Sequence, residues 1–195
     1  MKYKGNLLLD STIIHRCLAG DSTAFTELFE AYKNLVFRTA FLILDSADDA
    51  EDVLQDVFIE VHHSLNRYDP ARGAFSTWLY SITVNKCLNR RRHWTFFTTS
   101  LDEVAEKNFP ATAITDGERA DIESVRKAIG LLSVKLRAVV VLRFYWGLSY
   151  AEMSKILDLP LGTIKSCLNL AMRTLQTTLK DEMNPAFFSI KEESK

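Results

Sequence analysis

The chain has 195 residues, with 24 Lys and Arg against 25 Asp and Glu for a formal net charge of −1. A hydrophobic fraction of 47% and a charged fraction of 25% are those of an ordinary globular protein, which excludes a fibrous or disordered chain and leaves room for one domain or two small ones. With 7 Gly and 4 Pro, no apolar–polar alternation between turn dipeptides and no apolar run near ~20 residues, an all-α fold without membrane insertion is predicted.

Asp10 or Ser11 is predicted to cap a short helix over Ser11–Ala19 that Gly20 stops. Asp21 caps a second helix, in which Phe25, Leu28, Phe29, Tyr32, Val36, Ala40 and Ile43 recur at three- and four-residue intervals. After a polar break at Asp45–Asp48, Ala50, Val53, Leu54, Val57, Phe58, Val61 and Leu65 repeat the pattern, while Asp48, Asp49, Glu51, Asp52, Gln55, Asp56 and Glu60 fill the other side. Tyr68–Gly73 is a loop, set by Pro70 and Gly73.

The next helix begins with Phe75 and Trp78 and ends on Arg90, Arg91 and Arg92. Phe75, Leu79 and Ile82 share a face with Lys86 and Asn89; Tyr80, Val84 and Leu88 lie opposite, as suits an element wedged between neighbours with exposed last turns. Trp94–Gly117 has no sustained period and is predicted to be a flexible linker separating two domains. Glu118–Gly130 is a helix, Ser133 caps another with Leu136, Val139, Val140, Leu142 and Phe144 inward, and Ser149 caps Tyr150–Leu157. Thr163 is predicted to cap a last helix to about Lys180, and the tail after Pro185 has no usable pattern.

The neutral total hides an uneven distribution. Asp21–Asn66 carries ten acids against Lys33 and Arg38, a net of −8; Arg67–His93 carries six cations against Asp69, a net of +5. Cys17, Cys87 and Cys167 are scattered, which argues against a disulfide framework or zinc site and fits a reducing compartment, and Lys2 and Lys4 followed only by Leu7–Leu9 make no signal peptide. There is no Gly-rich phosphate loop, GxSxG or HExxH, and the adjacent His62 and His63 cannot face one metal from a helix. No enzyme, cofactor or metal site is expected.

Two stretches point to nucleic acid. Gly147–Met153, Ile156-Leu157 and Gly162–Ser166 have helix-turn-helix spacing, with Ile164, Leu168, Ala171 and Leu175 as anchors and Lys165, Ser166 and Asn169 at the exposed end. A plain three-helix bundle has the same spacing. Tyr68, Arg72, Phe75 and Trp78 with Lys86 and Arg90–Arg92 combine aromatic faces, cations and a loop, as unpaired bases and phosphates require. The same aromatics at helical spacing also suit a core, and the side that Trp78 takes stays open.

Asp21–Phe25, Ala50–Phe58 (AEDVLQDVF) and Gly73–Asn85 (GAFSTWLYSITVN) resemble sigma region 2, and GLSYAE at 147–152 and GTIKS at 162–166 resemble sigma region 4. The chain thus resembles an extracytoplasmic-function sigma factor of the bacterial sigma-70 family over roughly residues 10–180. The resemblance implies a region 2 domain over 10–93, a linker over 94–117, a region 4 domain over 118–182 and a tail over 183–195. It implies docking of Asp48, Asp49, Glu51, Asp52, Gln55, Asp56, Ile59 and Glu60 on the clamp helices of the largest RNA polymerase subunit, with the flap of the second-largest subunit as a further contact. For the −10 element it implies Arg67, Tyr68, Arg72, Phe75, Trp78, Asn85, Lys86, Asn89, Arg90, Arg91 and Arg92; for the −35 element, Arg143, Ser149, Thr163, Lys165, Ser166, Asn169, Leu170 and Arg173. A cytoplasmic bacterial protein, held by an anti-sigma factor, is implied as well.

One departure stands out. Cys167, Leu170 and Met172 occupy a helix that is usually basic, leaving Lys165 and Arg173 as nearby cations, so a weaker or more apolar grip on the −35 element is expected. The alternative function is a sigma-like helix-turn-helix regulator or decoy acting without core polymerase.

Overall fold

The computed structural model describes residues 7–94 and 124–182, with side chains over 10–90 and 124–179. Within these the chain is helical: α1 (Leu7–Leu18), α2 (Ser22–Leu44), α3 (Ala47–Ser64), α4 (Phe75–Trp94), α5 (124–130), α6 (Val134–Val140), α7 (Tyr150–Leu157) and α8 (Leu161–Glu182). The linker after Trp94, the start of the helix expected from Glu118, and the tail from 183 lie outside the described residues.

The helix ends follow from local chemistry. Asp21 Oδ1 accepts from the backbone N–H groups of Thr23 (2.9 Å) and Ala24 (3.3 Å), so α2 begins where a carboxylate meets its orphan donors. Asp45 closes α2 in the left-handed region (φ 57°), donating its N–H to the Phe41 carbonyl at 2.8 Å, and Ser46 then accepts from Asp49 N–H to start α3. A reversal this short makes α2 and α3 antiparallel neighbours. Two 3-10 turns, Leu65–Arg67 and Pro70–Arg72, fill the expected loop before Gly73, whose φ of 153° suits glycine.

Several expectations are corrected. α1 starts at Leu7, so Asp10 is an internal residue, buried beside Tyr32, instead of a cap. α8 starts at Leu161, with the Pro160 carbonyl accepting from Ile164 N–H, so Thr163 lies inside the helix. Phe144 was expected inward and is 59% exposed, because the chain widens into a π turn over Val141–Tyr145 that shifts the register of everything after Leu142. Ile82 is half-buried, and Thr83 and Cys87 take the core positions instead; burial pushes the Cys87 thiol up to about 12, which marks a packing residue and not a reactive one.

The first bundle packs α2, α3 and α4 around Leu28, Tyr32, Val36, Ile43, Val53, Val57, Phe75 and Leu79. The second packs α5 and α6 on α8 through Ala128, Leu132, Val140, Ala171 and Leu175. Buried Arg137 ties its α5–α6 turn, donating from Nη2 to the carbonyls of Gly130 (2.6 Å) and Leu132 (3.2 Å).

The two bundles do not stand apart. α4 buries Phe75 and Leu79 in the first bundle, and on another side it meets α6 and α7 through Tyr80 and Ser81. Trp146, just past the π turn, lies 5.2 Å from the Tyr80 ring, and its Nε1–H donates to Thr39 Oγ1 at 3.1 Å. Thr39 in turn donates to the Leu35 carbonyl at 2.7 Å. Ser81 Oγ donates to the Ile156 carbonyl (3.4 Å), and Arg126 pairs loosely with Asp45 at 3.7 Å. One buried apolar cluster therefore runs through both halves. Among the described residues no helix is long and apolar enough to cross a membrane.

Thr39→Val removes the acceptor of a buried indole N–H and is expected to lower the unfolding free energy by about 1–3 kcal/mol, with a red shift in tryptophan emission that Thr39→Ser does not give; thermal melting followed by fluorescence measures both. At the α1–α2 junction Arg16 bridges Asp21 (2.8 Å) and Glu27 (2.9 Å), and the Thr23 hydroxyl with the Arg16 guanidinium holds the Asp21 carboxyl down at about 2. A folded value below the unfolded one, about 4, gives stability that is present above pH ~4 and lost as pH falls toward 2. Asp21→Asn should flatten the melting midpoint over that interval and leave its slope at neutral pH unchanged.

Candidate nucleic-acid and polymerase interface

The outer side of α3 carries Asp48, Glu51, Asp52, Gln55, Asp56 and Ile59 exposed, with Asp49 and Glu60 partly covered. Asp48 and Asp49 lie in the first turn, where the helix dipole favours them. Ile59 is 57% exposed, an apolar knob one turn after Gln55 and Asp56 and next to Glu60. His62 and His63 are exposed too, and no metal-holding group of three ligands occurs among the described residues.

The basic end of α4 does not stand clear of this face. Arg90 donates from Nε to Asp49 (2.7 Å) and from Nη2 to Asp52 (2.5 Å), and Lys86 Nζ lies 3.7 Å from Glu60. The Asp49 hydrogen bond raises the Arg90 pKa above its ordinary value. Two of the cations expected at DNA are thus engaged with three of the acids expected at polymerase. Asn85 and Asn89 are exposed on the same turns; the side chains of Arg91 and Arg92 lie outside the described residues.

The loop before α4 forms one wall of a cavity of about 580 Å³. Arg67, Tyr68, Asp69, Arg72 and Trp78 line it, and Lys155 and Ile156 of α7 close the far side. Tyr68 donates its hydroxyl to the Gly73 carbonyl (3.1 Å), and burial raises its pKa, keeping it a donor. Asp69 Oδ1 accepts from Ala71 N–H at 2.9 Å, which fixes the turn. The rings form a stack of supports: Tyr32 holds Phe75 (5.1 Å), and Phe75 contacts Tyr68 (5.3 Å) and Trp78 (5.5 Å). Phe75, expected at the −10 element, is corrected to a core residue: it is only 1% exposed and backs Tyr68 and Trp78 without lining the cavity itself. Trp78, undecided from sequence, is half-buried in the cavity wall, 5.7 Å from Tyr68.

A second hollow of about 750 Å³ lies between the exposed amides of Asn85 and Asn89 and the other bundle's Leu131, Lys135, Leu157 and Leu159. It opens beside the end of α4, where the two halves meet.

In the second bundle Ser149 and Glu152 form a reciprocal capping box that fixes the start of α7. The Ser149 hydroxyl donates to Glu152 Oε2 (2.6 Å) and accepts from Glu152 N–H (3.3 Å), so it is spent on the helix start. Ile164, Leu168, Ala171 and Leu175 are buried, anchoring α8. Lys165, Ser166, Asn169, Leu170 and Arg173 are exposed, and Thr163 is half-buried. Arg143 donates from Nη1 to the Leu148 carbonyl at 2.9 Å and lies over the Tyr150 ring, which Lys165 also approaches. Sequence reasoning missed Lys155 as a cavity wall and Tyr150 as the ring between two cations. Both are products of packing, and periodicity carries no signal for either.

Comparison with known proteins agrees with this geometry. Residues 28–95 match sigma-70 region 2, and residues 122–175 match sigma-70 region 4. An ECF RNA polymerase sigma factor, SigM of Mycobacterium tuberculosis, is 34% identical over 160 residues, covering 80% of this chain and 78% of its own. The RNA polymerase sigma-H factor of Pseudomonas aeruginosa is 30% identical over 190 residues, covering 91% and 97%. SigW of Bacillus subtilis is 29% identical over 175 residues, covering 83% and 92%. Among solved structures, RpoE of Bartonella quintana, bound to the anti-sigma factor NepR, has a TM-score of 0.67 at 21% identity, covering 82% of this chain and 98% of its own. CnrH, bound to the cytosolic domain of CnrY, has a TM-score of 0.64 at 23% identity, covering 90% and 99%. These last two share the fold. With both regions matched in order and relatives spanning the bundles, the chain belongs to the extracytoplasmic-function sigma factors of the sigma-70 family.

Proposed function

We propose that this sigma factor docks on core RNA polymerase through the outer side of α3, reads the −10 element with the loop before α4, and reads the −35 element with α7 and α8. The observation that carries the reading is the neighbourhood of two unlike surfaces on one bundle. Exposed Asp48, Glu51, Asp52, Gln55 and Asp56 around Ile59 would repel DNA and suit a basic protein surface with an apolar socket. Beside them, Arg67, Arg72, Tyr68 and Trp78 line a cavity that suits a base turned out of the stack, with phosphates on either side. Asn85 offers an amide that both donates and accepts toward a base edge. It works in the cytoplasm, and it catalyses nothing itself.

Promoter engagement on this reading requires the bundles to part. Lys155 and Ile156 close the cavity that a melted strand would enter, and parting exposes Tyr80 and Trp146. Polymerase binding must offset that exposure. An anti-sigma factor, as NepR is in the solved RpoE complex, would act by keeping the chain from polymerase, and the hollow beside Asn85 and Asn89 is its candidate seat.

Transcription from genomic fragments, with core polymerase and with or without the protein, tests the whole reading; no core binding and no new start site would overturn it. Ile59→Glu is expected to weaken core binding by about tenfold, the loss of one apolar anchor, with no change in melting temperature. For the −35 step, Leu170→Arg adds a cation to an exposed position. It should tighten binding to duplex DNA carrying the element and steepen the log–log salt slope by about 0.9, the value for one more phosphate neutralised; anisotropy titrations over a salt series measure it.

A further inference from the structure

Tyr150 is the first residue of α7, and its ring is approached by two cations from other elements. Arg143 Cζ, from the π turn, lies 5.0 Å from the ring centroid, and Lys165 Nζ, from α8, lies 5.9 Å from it. Both distances are within the range in which the negative face of an aromatic ring attracts a cation. Arg143 is fixed from a second side by its bond to the Leu148 carbonyl at 2.9 Å. The capping box of Ser149 and Glu152 holds the backbone that presents the ring. Three elements that share no periodicity are therefore gathered at one aromatic side chain.

The gathering matters because α8 is poor in charge. Between Leu161 and Arg173 its only cations are Lys165 and Arg173. A free lysine and a free arginine would each repel the other and sample many rotamers, and each would lose that freedom on meeting a phosphate. Attraction to the one Tyr150 ring narrows the rotamers of both Arg143 and Lys165 and orders them beforehand.

We propose that Tyr150 is a positioning residue for DNA backbone binding: its ring holds Arg143 and Lys165 together as one phosphate clamp at the N-terminal end of α8. This rests on the reading of α7 and α8 as a duplex-binding unit and goes beyond it by dividing the labour. The clamp supplies grip that ignores sequence, whereas Ser166, Asn169 and Leu170 face the bases. Tyr150 touches no base itself.

The test uses the full chain, a short duplex bearing the −35 sequence found by transcription, and an unrelated duplex of the same length, each titrated by anisotropy over a salt series. Tyr150→Phe keeps the ring and should keep both affinity and slope. Tyr150→Leu should weaken binding to both duplexes by the same factor, about tenfold at low salt, and should lower the log–log slope by about one to two, as expected when one or two phosphate contacts are lost. Lys165→Gln should cost less in the Tyr150→Leu background than alone, because the ring acts through that cation. A merely structural role would lower the melting temperature and the active fraction while leaving the slope of the remaining binding unchanged. An unchanged slope, a loss confined to the −35 duplex, or strict additivity with Lys165→Gln overturns the clamp and leaves the −35 reading standing. A chain that binds neither duplex at any salt removes both.

Discussion

The structure depends on α4 being buried along two sides at once. A helix of the first bundle normally turns one stripe to its own core and the other to water. Here the second stripe meets Trp146 and α7, so the same twenty residues hold the bundle together, join it to its partner and carry the exposed amides Asn85 and Asn89. The indole N–H of Trp146 settles on Thr39 of α2, which is itself bonded to its own helix. A buried donor with one good partner fixes orientation more sharply than apolar contact alone, because any other seating leaves it unsatisfied.

Electrostatics follows the same economy. A chain with a local net of −8 followed by one of +5 could have presented two separate faces. Instead, α3 and α4 lie side by side, and Arg90 and Lys86 reach across to Asp49, Asp52 and Glu60. These pairs are partly exposed, so each contributes little to stability in itself. Their effect is to moderate the field at the seam, leaving net acid on the outer side of α3 and net positive charge in the cavity of Arg67, Arg72 and Lys155. The acidic and the basic surface of one small bundle are kept distinct by a neutral border.

Much of this was legible in the sequence wherever one residue's role depends on near neighbours. Asp21 and Ser149 announced their helices because a cap needs only the next three N–H groups, and the apolar period of α2 and α3 was regular enough to place their cores. The helix-turn-helix and the aromatic loop could be located by spacing. What could not be seen was set by distant partners. Phe75 looked like a possible platform for bases until Tyr32, Tyr68 and Trp78 enclosed it. Arg90 looked free because its acids are about forty positions away. Phe144 was misplaced since a 3.6-residue period fails wherever the chain takes a wider turn, and no composition rule marks that spot.

That wider turn has a consequence for how such a protein can change. A π turn holds one residue more than the α-helix it interrupts, and one residue of α-helix corresponds to a rotation of about 100°. Deleting a single position within Val141–Tyr145 would restore the regular ladder and swing Trp146, with the whole α7–α8 pair behind it, to a new bearing about the axis of α6. The bearing of α7 and α8 on α6, within the second half, is therefore quantised by chain length at this point. Point substitutions tune how firmly α7 and α8 adhere to α6, but insertion or deletion here resets their bearing on it in a single step.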